Sequence, residues 1–334
     1  MQSLYVKYRP SKFEDVIGQD VTVKILQKQV ELKKYKNSFI FAGPSGCGKT
    51  TIARIFANEI NKHCGEPIEI DAASNNGVDN IRNIISSADT RSLDSEYKIF
   101  IIDECHMLSS GAWAALLKTI EETPKYTIFM FCTTENNKVP MTIQNRCQMY
   151  FLKRVKVDKI IERLKYICNS ESYEFTDEAL LHIAKLADGS VRQAISLLDK
   201  CKDFSNNINI DNVTSVLGSS NDDTFINLLR AFINKDKGSI INIVDEVYNS
   251  GLDLNLFLNM LIAFTLDVCK YSLFRTFNSI NISDTYKSNL DELIRIDNPN
   301  KYFVYILDKL MSIKKIIKGD TDIKTSLEVY FIQL

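Results

Sequence analysis

The sequence predicts an α/β domain built on a parallel sheet, followed by a small helical domain and a larger all-helical one. Three observations carry that prediction. Short apolar runs alternate with helix-like stretches up to Leu152, with strands expected at Phe39–Ala42, Ile68–Asp71, Lys98–Asp103, Ile128–Thr133 and Gln148–Leu152. Such alternation puts a helix between successive strands, which makes them parallel and covers both faces of the sheet. Beyond Leu152, apolar residues recur at three- and four-residue spacing, a helical period. Between the first strand and the helix-like stretch Thr51–Ile60, the run Gly43-Pro44-Ser45-Gly46-Cys47-Gly48-Lys49-Thr50 matches G-x-x-x-x-G-K-[ST] at every fixed position.

That loop has the chemistry of a phosphate cradle. Its glycines let consecutive backbone N–H groups curl around phosphate oxygens, and the helix N-terminus behind it adds positive potential. Gly43 to Thr51 would hold ATP, with Lys49 neutralising the β- and γ-phosphates and Thr50 holding Mg²⁺. Cys47 fills a free position of the motif. The third strand ends in Asp103-Glu104. Acidic residues at a strand end are ordinary by themselves. Behind a phosphate loop they become specific, because ligands gather at the carboxyl ends of parallel strands. Asp103 is expected to help hold Mg²⁺, and Glu104 to orient and activate the attacking water. The fourth strand ends in Thr133-Thr134.

Helices are expected at Asp158–Asn169, Asp177–Asp188 and Val191–Lys202, then a loop at Asn206–Asn209 and a short helix at Asp211–Leu217. Gly218-Ser219-Ser220-Asn221 reads as a hinge. Helical spacing resumes with Phe225, Leu228, Leu229 and Phe232, then Ile240, Ile243, Val244 and Val247. The domains expected are 1–155, 156–218 and 219–334, and 334 residues suit two or three. Five of the six prolines occur by Pro140, in line with the change of class. A net charge of -1 gives no global field for nucleic acid, so any such contact must be local. No signal peptide is expected, since Met1-Gln2-Ser3 leads into Lys7-Tyr8-Arg9-Pro10, and no apolar run approaches membrane-spanning length. Eight scattered cysteines without a C-x-x-C pair suggest reduced core thiols and a cytoplasmic protein without membrane partners. His63-Cys64 has no second ligand pair nearby.

Two arginines follow in order behind these motifs. Arg146, in Asn145-Arg146-Cys147, lies between the fourth and fifth strands. Arg192 follows Gly189-Ser190-Val191, where Ser190 and Gln193 have capping-box spacing and place it in a first helical turn. Asp103-Glu104-Cys105-His106 invites comparison with D-E-x-H helicases, but the later motifs point elsewhere. Val16-Ile17-Gly18-Gln19, Glu69-Ile70-Asp71-Ala72-Ala73-Ser74, Met107-Leu108 and Ala115–Glu122 join the series. Over nearly its whole length the chain resembles the AAA+ clamp-loader ATPases. The likeness is greatest to the gamma/tau subunits of bacterial DNA polymerase III and more distant to the small subunits of replication factor C.

The resemblance implies a P-loop AAA+ ATPase domain, a helical lid and an all-α collar. It implies an ATP-driven motor that opens a sliding clamp and loads it onto primer–template DNA within a heteropentamer of clamp-loader subunits. Tyr8, Arg9 and Pro10, with Val16, Ile17 and the residues up to Gln19, would line the adenine site. Thr134 would sense the γ-phosphate region, and Arg192 would reach from the lid to its own subunit's nucleotide. Arg146 would be an arginine finger entering the neighbouring subunit's ATP site. Arg82, on Val78–Ser86, and Lys118, on Ser110–Glu121, match positions that follow the DNA backbone, which implies recognition of backbone and shape. Asn75 and Gly77 stand where that family often has basic residues. Met107, Leu108 and Trp113 are candidates for the clamp or for the core. Lys314, Lys315 and Lys318 are expected on a solvated face.

Three departures qualify the likeness. Asn61–Pro67 replaces the family's four-cysteine module, so no zinc is expected. No extension beyond the collar is expected to tether a polymerase or helicase, and the family's Ser-Arg-Cys is Asn145-Arg146-Cys147 here. The first two point to a phage or mobile-element loader. Alternatives are another AAA+ DNA motor of the branch-migration type and a non-hydrolysing stator of a clamp loader. Intact Lys49, Thr50, Asp103 and Glu104 stand against the stator.

Overall fold

A computed structural model describes residues 3–217, 222–277, 280, 282, 286–317 and 322–334. The hinge expected at Gly218–Asn221 and Lys318 lie outside these residues. The chain forms two compact units, Met1–Asp199 and Lys200–Leu334.

The first unit is built on five strands: β1 (Ser38–Ala42), β2 (Ile68–Asp71), β3 (Lys98–Asp103), β4 (Thr127–Thr133) and β5 (Gln148–Phe151). Each begins and ends within one residue of its predicted bounds. All four pairings are parallel, in the order β2-β3-β4-β1-β5. Successive side chains of a strand point to opposite faces. Phe39, Phe41, Ile99, Ile101, Ile128 and Met130 therefore join one core, and Ile40, Phe100, Ile102, Phe129 and Phe131 the other. Helices Asp20–Leu32 and Lys49–Ile60 cover the first face through Leu26, Ile52 and Phe56. Helices Val78–Ala88 and Ser110–Glu121 cover the second through Ile81, Trp113 and Leu116. The central strands β1, β3 and β4 are buried on both faces, which is why they read as continuous apolar runs, whereas the edge strand β2 is largely exposed.

Strand order sets the site. From β1 the chain crosses to the edge at β2, returns through β3 and β4, and adds β5 on the far side of β1. The carboxyl ends of β3, β4 and β1 thus lie side by side where the order reverses, the place where ligands bind in open α/β sheets. Three helices follow the sheet, Val157–Glu171, Asp177–Leu186 and Val191–Phe204.

The expected loop at Asn206–Asn209 contains a two-residue strand, Asn207–Ile208, too short to leave an alternation signal. In the second unit, helices Asp222–Asn234, Lys237–Asn249, Leu254–Phe274, Pro299–Ile316 and Ile323–Phe331 share one core with Phe225, Phe232, Phe257, Leu261, Phe303 and Phe331. Lys314 and Lys315 are exposed, as expected.

One expectation needs correction. Leu254–Phe274 is a 21-residue helix with a mean hydropathy of 1.4 over its best window, long and apolar enough to span a bilayer. Its apolarity has another cause. Phe257, Leu258, Leu261 and Val268 are fully buried, Thr265 Oγ1 donates to the Leu261 carbonyl at 2.7 Å, and Lys270 Nζ meets Asp267 at 2.9 Å. A helix that is apolar nearly all round is the centre of a core, and this one packs along Pro299–Ile316. Phe257→Ala is expected to cost about 3–5 kcal/mol in urea unfolding, whereas a loss under about 1 kcal/mol would refute this placement.

Candidate nucleotide-binding site

The phosphate loop begins where β1 ends. The Gly43 N–H donates to the Thr133 carbonyl at 3.1 Å, which ties the loop to the end of β4. Gly46 (φ 72°) and Gly48 (φ 102°) adopt left-handed conformations that glycine enters at little cost. Gly48 caps the helix Lys49–Ile60, so that helix's first N–H groups face the loop. A Cβ on Gly46 would fall 1.9 Å from Ser190 Oγ, and the Gly46 carbonyl accepts from the Val191 N–H at 3.1 Å. The loop therefore touches the start of the helix that carries Arg192. Gly46→Ala is expected to strain the backbone by about 1–3 kcal/mol and to push Ser190 aside. Both a lower melting temperature and weaker ATP binding should follow in thermal and fluorescent-nucleotide assays; a variant that binds ATP normally would refute this close approach.

Lys49 is buried, and its Nζ donates to the Pro44 carbonyl at 3.0 Å, folded over the loop. Burial pushes the Cys47 thiol up despite the nearby Lys49, which leaves it a poor nucleophile. Seven of the eight cysteines are buried and only Cys64 is exposed; all eight are free thiols.

The acids stand at the end of β3. Thr50 Oγ1 donates to Asp103 Oδ2 at 2.8 Å, so two hard oxygen ligands adjoin the loop. That fits Mg²⁺, which takes one or two protein oxygens and fills its octahedron with phosphate oxygens and water. Glu104 sits in the left-handed region (φ 46°, ψ 42°), with its N–H donated to Asp103 Oδ1 at 3.0 Å. Such a conformation is uncommon outside glycine and clusters at functional sites. Thr134 Oγ1, at the end of β4, donates to Glu104 Oε2 at 3.3 Å.

A cavity of about 440 Å³ extends from the loop, lined by Tyr8, Arg9, Pro10, Val16, Ile17, Ser45 to Thr51, Asp103, Glu104 and Arg192. Gly43 and Pro44 shape the loop without lining the cavity. The Tyr8 hydroxyl donates to Glu171, and burial together with that bond pushes it up to about 12. Arg9 Nε donates to Thr51 Oγ1 at 3.3 Å, and burial, then the Arg54 charge, holds its guanidinium below its usual value. Gln19, expected beside Val16 and Ile17, is buried and does not line the cavity; it donates to the Lys153 carbonyl at 2.7 Å. Arg192 lies 5.0 Å from the centroid of the Tyr5 ring, a cation–π contact. Ser190 Oγ accepts from the Gln193 N–H at 3.2 Å, while the Ser190 N–H turns to Ala187, so only one half of the capping box forms.

Tyr5, Val6, Arg54, Glu69, Val191 and Ile195 also line the cavity and were not anticipated. Arg54 pairs with Glu69. Helical spacing held the signal for two of them. Arg54 is four residues after Thr50 and Ile195 three after Arg192, each on its predecessor's face.

Other expected site residues lie apart. Arg146 is outside the cavity, pairing with Glu121 and donating from Nη1 to the Thr142 carbonyl at 2.7 Å. Arg82 is exposed and meets Asp79 at 3.1 Å, and Lys118 is exposed on the helix packed beside it. Leu108 and Trp113 are core residues, whereas Met107 is exposed. Among the described residues, no group of three His, Cys, Asp or Glu side chains is placed to hold a metal ion.

Fold and site together define a P-loop nucleotide-binding protein of the AAA+ class. The Thermotoga maritima RuvB Holliday junction branch migration motor shares the fold over 68% of this chain and 79% of its own, with a TM-score of 0.54 and 24% identity. Residues 66–156 match the family described as DNA polymerase III, delta subunit. Residues 159–206 match the clamp loader subunit ATPase lid domain, and 208–296 match domain III of DNA polymerase III subunits gamma and tau. The gamma/tau subunit of Mycoplasma genitalium is 34% identical over 91% of this chain and 54% of its own length. The tau subunit of Bacillus subtilis is 37% identical over 81% and 52%. The gamma subunit of Buchnera aphidicola is 32% identical over 93% of this chain and 91% of its own. The chain belongs to the DNA polymerase III gamma/tau family, and its fold is a P-loop AAA+ domain, a lid and an all-helical C-terminal domain. It spans about half the length of the Mycoplasma genitalium and Bacillus subtilis relatives.

Proposed function

We propose that this chain is an ATP-hydrolysing motor subunit of a clamp loader, opening a sliding clamp and placing it on primer–template DNA in the cytoplasm. The observation that carries this is the pairing of Thr50 with Asp103 beside that of Thr134 with Glu104, under a phosphate loop. Backbone N–H groups from Ser45 to Thr50 hold the phosphates, and Lys49 moves from the Pro44 carbonyl to the β- and γ-phosphate oxygens. Thr50 and Asp103 hold Mg²⁺, which neutralises phosphate charge when bound. Glu104 accepts the proton of the attacking water, and Thr134 keeps its carboxylate aimed. Arg192 stabilises charge within its own subunit. Arg146, held away from its own cavity, serves a neighbour's site, so hydrolysis depends on assembly with other loader subunits in a heteropentamer. Arg82 and Lys118 contact DNA phosphates, without base readout. The domains divide at 1–155, 156–218 and 219–334, and zinc has no part.

The test is ATP hydrolysis by the purified chain, alone and with its loader partners, the cognate clamp and primer–template DNA. Strong joint stimulation supports the proposal. Robust turnover on branched DNA with no response to a clamp would favour a branch-migration motor, and no turnover in any assembly a stator.

A further inference from the structure

Glu104 is held from a second side by groups the hydrolysis scheme leaves unused. His106 follows it on the short 3-10 turn Cys105–Met107 that closes β3, and its side chain is 8% exposed. Its Nδ1 lies 3.4 Å from Glu104 Oε2 and 3.2 Å from Thr133 Oγ1. Its Nε2 lies 3.4 Å from Glu135 Oε1. Glu135 is itself fixed: Lys138 Nζ donates to the same oxygen at 2.9 Å, and its N–H donates to Thr133 Oγ1 at 3.0 Å. Lys138 holds the Glu135 carboxyl below its ordinary value, so it is an acceptor with no proton to give. The imidazole is thus pinned between two carboxylates, one at the reacting centre and one at the surface after Thr134.

Thr133 Oγ1 holds the ring at Nδ1, and each nitrogen also faces a carboxylate, so both contacts are ion pairs when both nitrogens carry protons. Nδ1 faces Glu104 Oε2, the oxygen that Thr134 also holds, and Nε2 faces Glu135 Oε1. Glu104 Oε1 has no protein partner among the described residues, so it is the oxygen left for water. A general base works only within hydrogen-bond reach of its proton, and a glutamate on a left-handed residue at a strand end needs lateral support to stay there.

We propose that His106 and Glu135 are positioning residues for Glu104, a buttress that fixes one carboxylate oxygen so that the other meets the attacking water. This rests on Glu104 being the base. Neither residue need touch the nucleotide: both are absent from the cavity lining that contains Glu104.

The experiment uses the full chain assembled with its loader partners, clamp and primer–template DNA. ATP turnover, KM, fluorescent-nucleotide affinity and melting temperature are measured for His106→Ala, Glu135→Gln and Glu104→Gln. His106→Ala should lower kcat about tenfold and Glu135→Gln about threefold, a part of the ~10²–10⁴ a general base supplies. Nucleotide affinity should stay within about twofold in both, because the cradle is intact. Glu135→Gln changes a surface residue, so it reports even where His106→Ala folds poorly. Added to Glu104→Gln, His106→Ala should cause no further loss, because the two act as one unit. If Glu104→Gln is inactive while both other variants keep wild-type kcat, or raise it, the buttress is overturned. If Glu104→Gln stays active, the reading of Glu104 fails instead.

Discussion

Glu104→Gln should reduce ATP turnover about 10²–10⁴-fold while ATP still binds, because only the proton-accepting group is lost. The side chain keeps its size, and its amide can still meet Thr134 Oγ1, now at 3.3 Å from Oε2. The phosphate loop, Lys49 and the Thr50–Asp103 pair do not touch the replaced oxygen's free side. A single-turnover assay with a parallel binding titration checks the split. Unchanged turnover would remove Glu104 from catalysis, and lost binding would show that the carboxylate supports the cradle.

Arg146→Ala should leave nucleotide binding by the isolated chain unchanged and lower turnover of the assembled complex by about 10³-fold or more, the usual worth of an arginine finger. The geometry permits such a role. In its own chain the guanidinium is tied to Glu121 and the Thr142 carbonyl, both outside the cavity. Both partners of that ion pair are partly exposed, and such pairs contribute about 0–1 kcal/mol, so releasing it for a neighbour costs little. Mixing Arg146→Ala chains with Lys49→Ala chains sharpens the measurement. Activity should survive only where an intact finger faces an intact cradle. Full activity of the assembled Arg146→Ala complex would refute action between subunits.

Much of the site was legible because its chemistry is local. A phosphate loop needs glycines, a lysine and a hydroxyl in one octapeptide, and Gly43 to Thr50 supply them in order. Asp103-Glu104 and Thr133-Thr134 were readable as strand ends because β3 and β4 are buried on both faces, which makes them unbroken apolar runs. The apolar helix Leu254–Phe274 shows the opposite case. Composition alone does not separate a core helix from a membrane span, and the packing around Phe257 and Leu261 does.

The sequence by itself determined the class of fold, the order of its elements and the nucleotide chemistry, because periodicity and short motifs are written along the chain. Only the tertiary structure decided which side chains meet across it. It brought Glu69 from β2 to Arg54, Tyr5 over Arg192, and Glu135 from beyond β4 to His106 beyond β3. It also sent Trp113 and Leu108 inward and left Met107 exposed. The Arg54–Glu69 and His106–Glu135 contacts follow from the strand order β2-β3-β4-β1-β5, which sets residues far apart in sequence side by side and which no local pattern encodes.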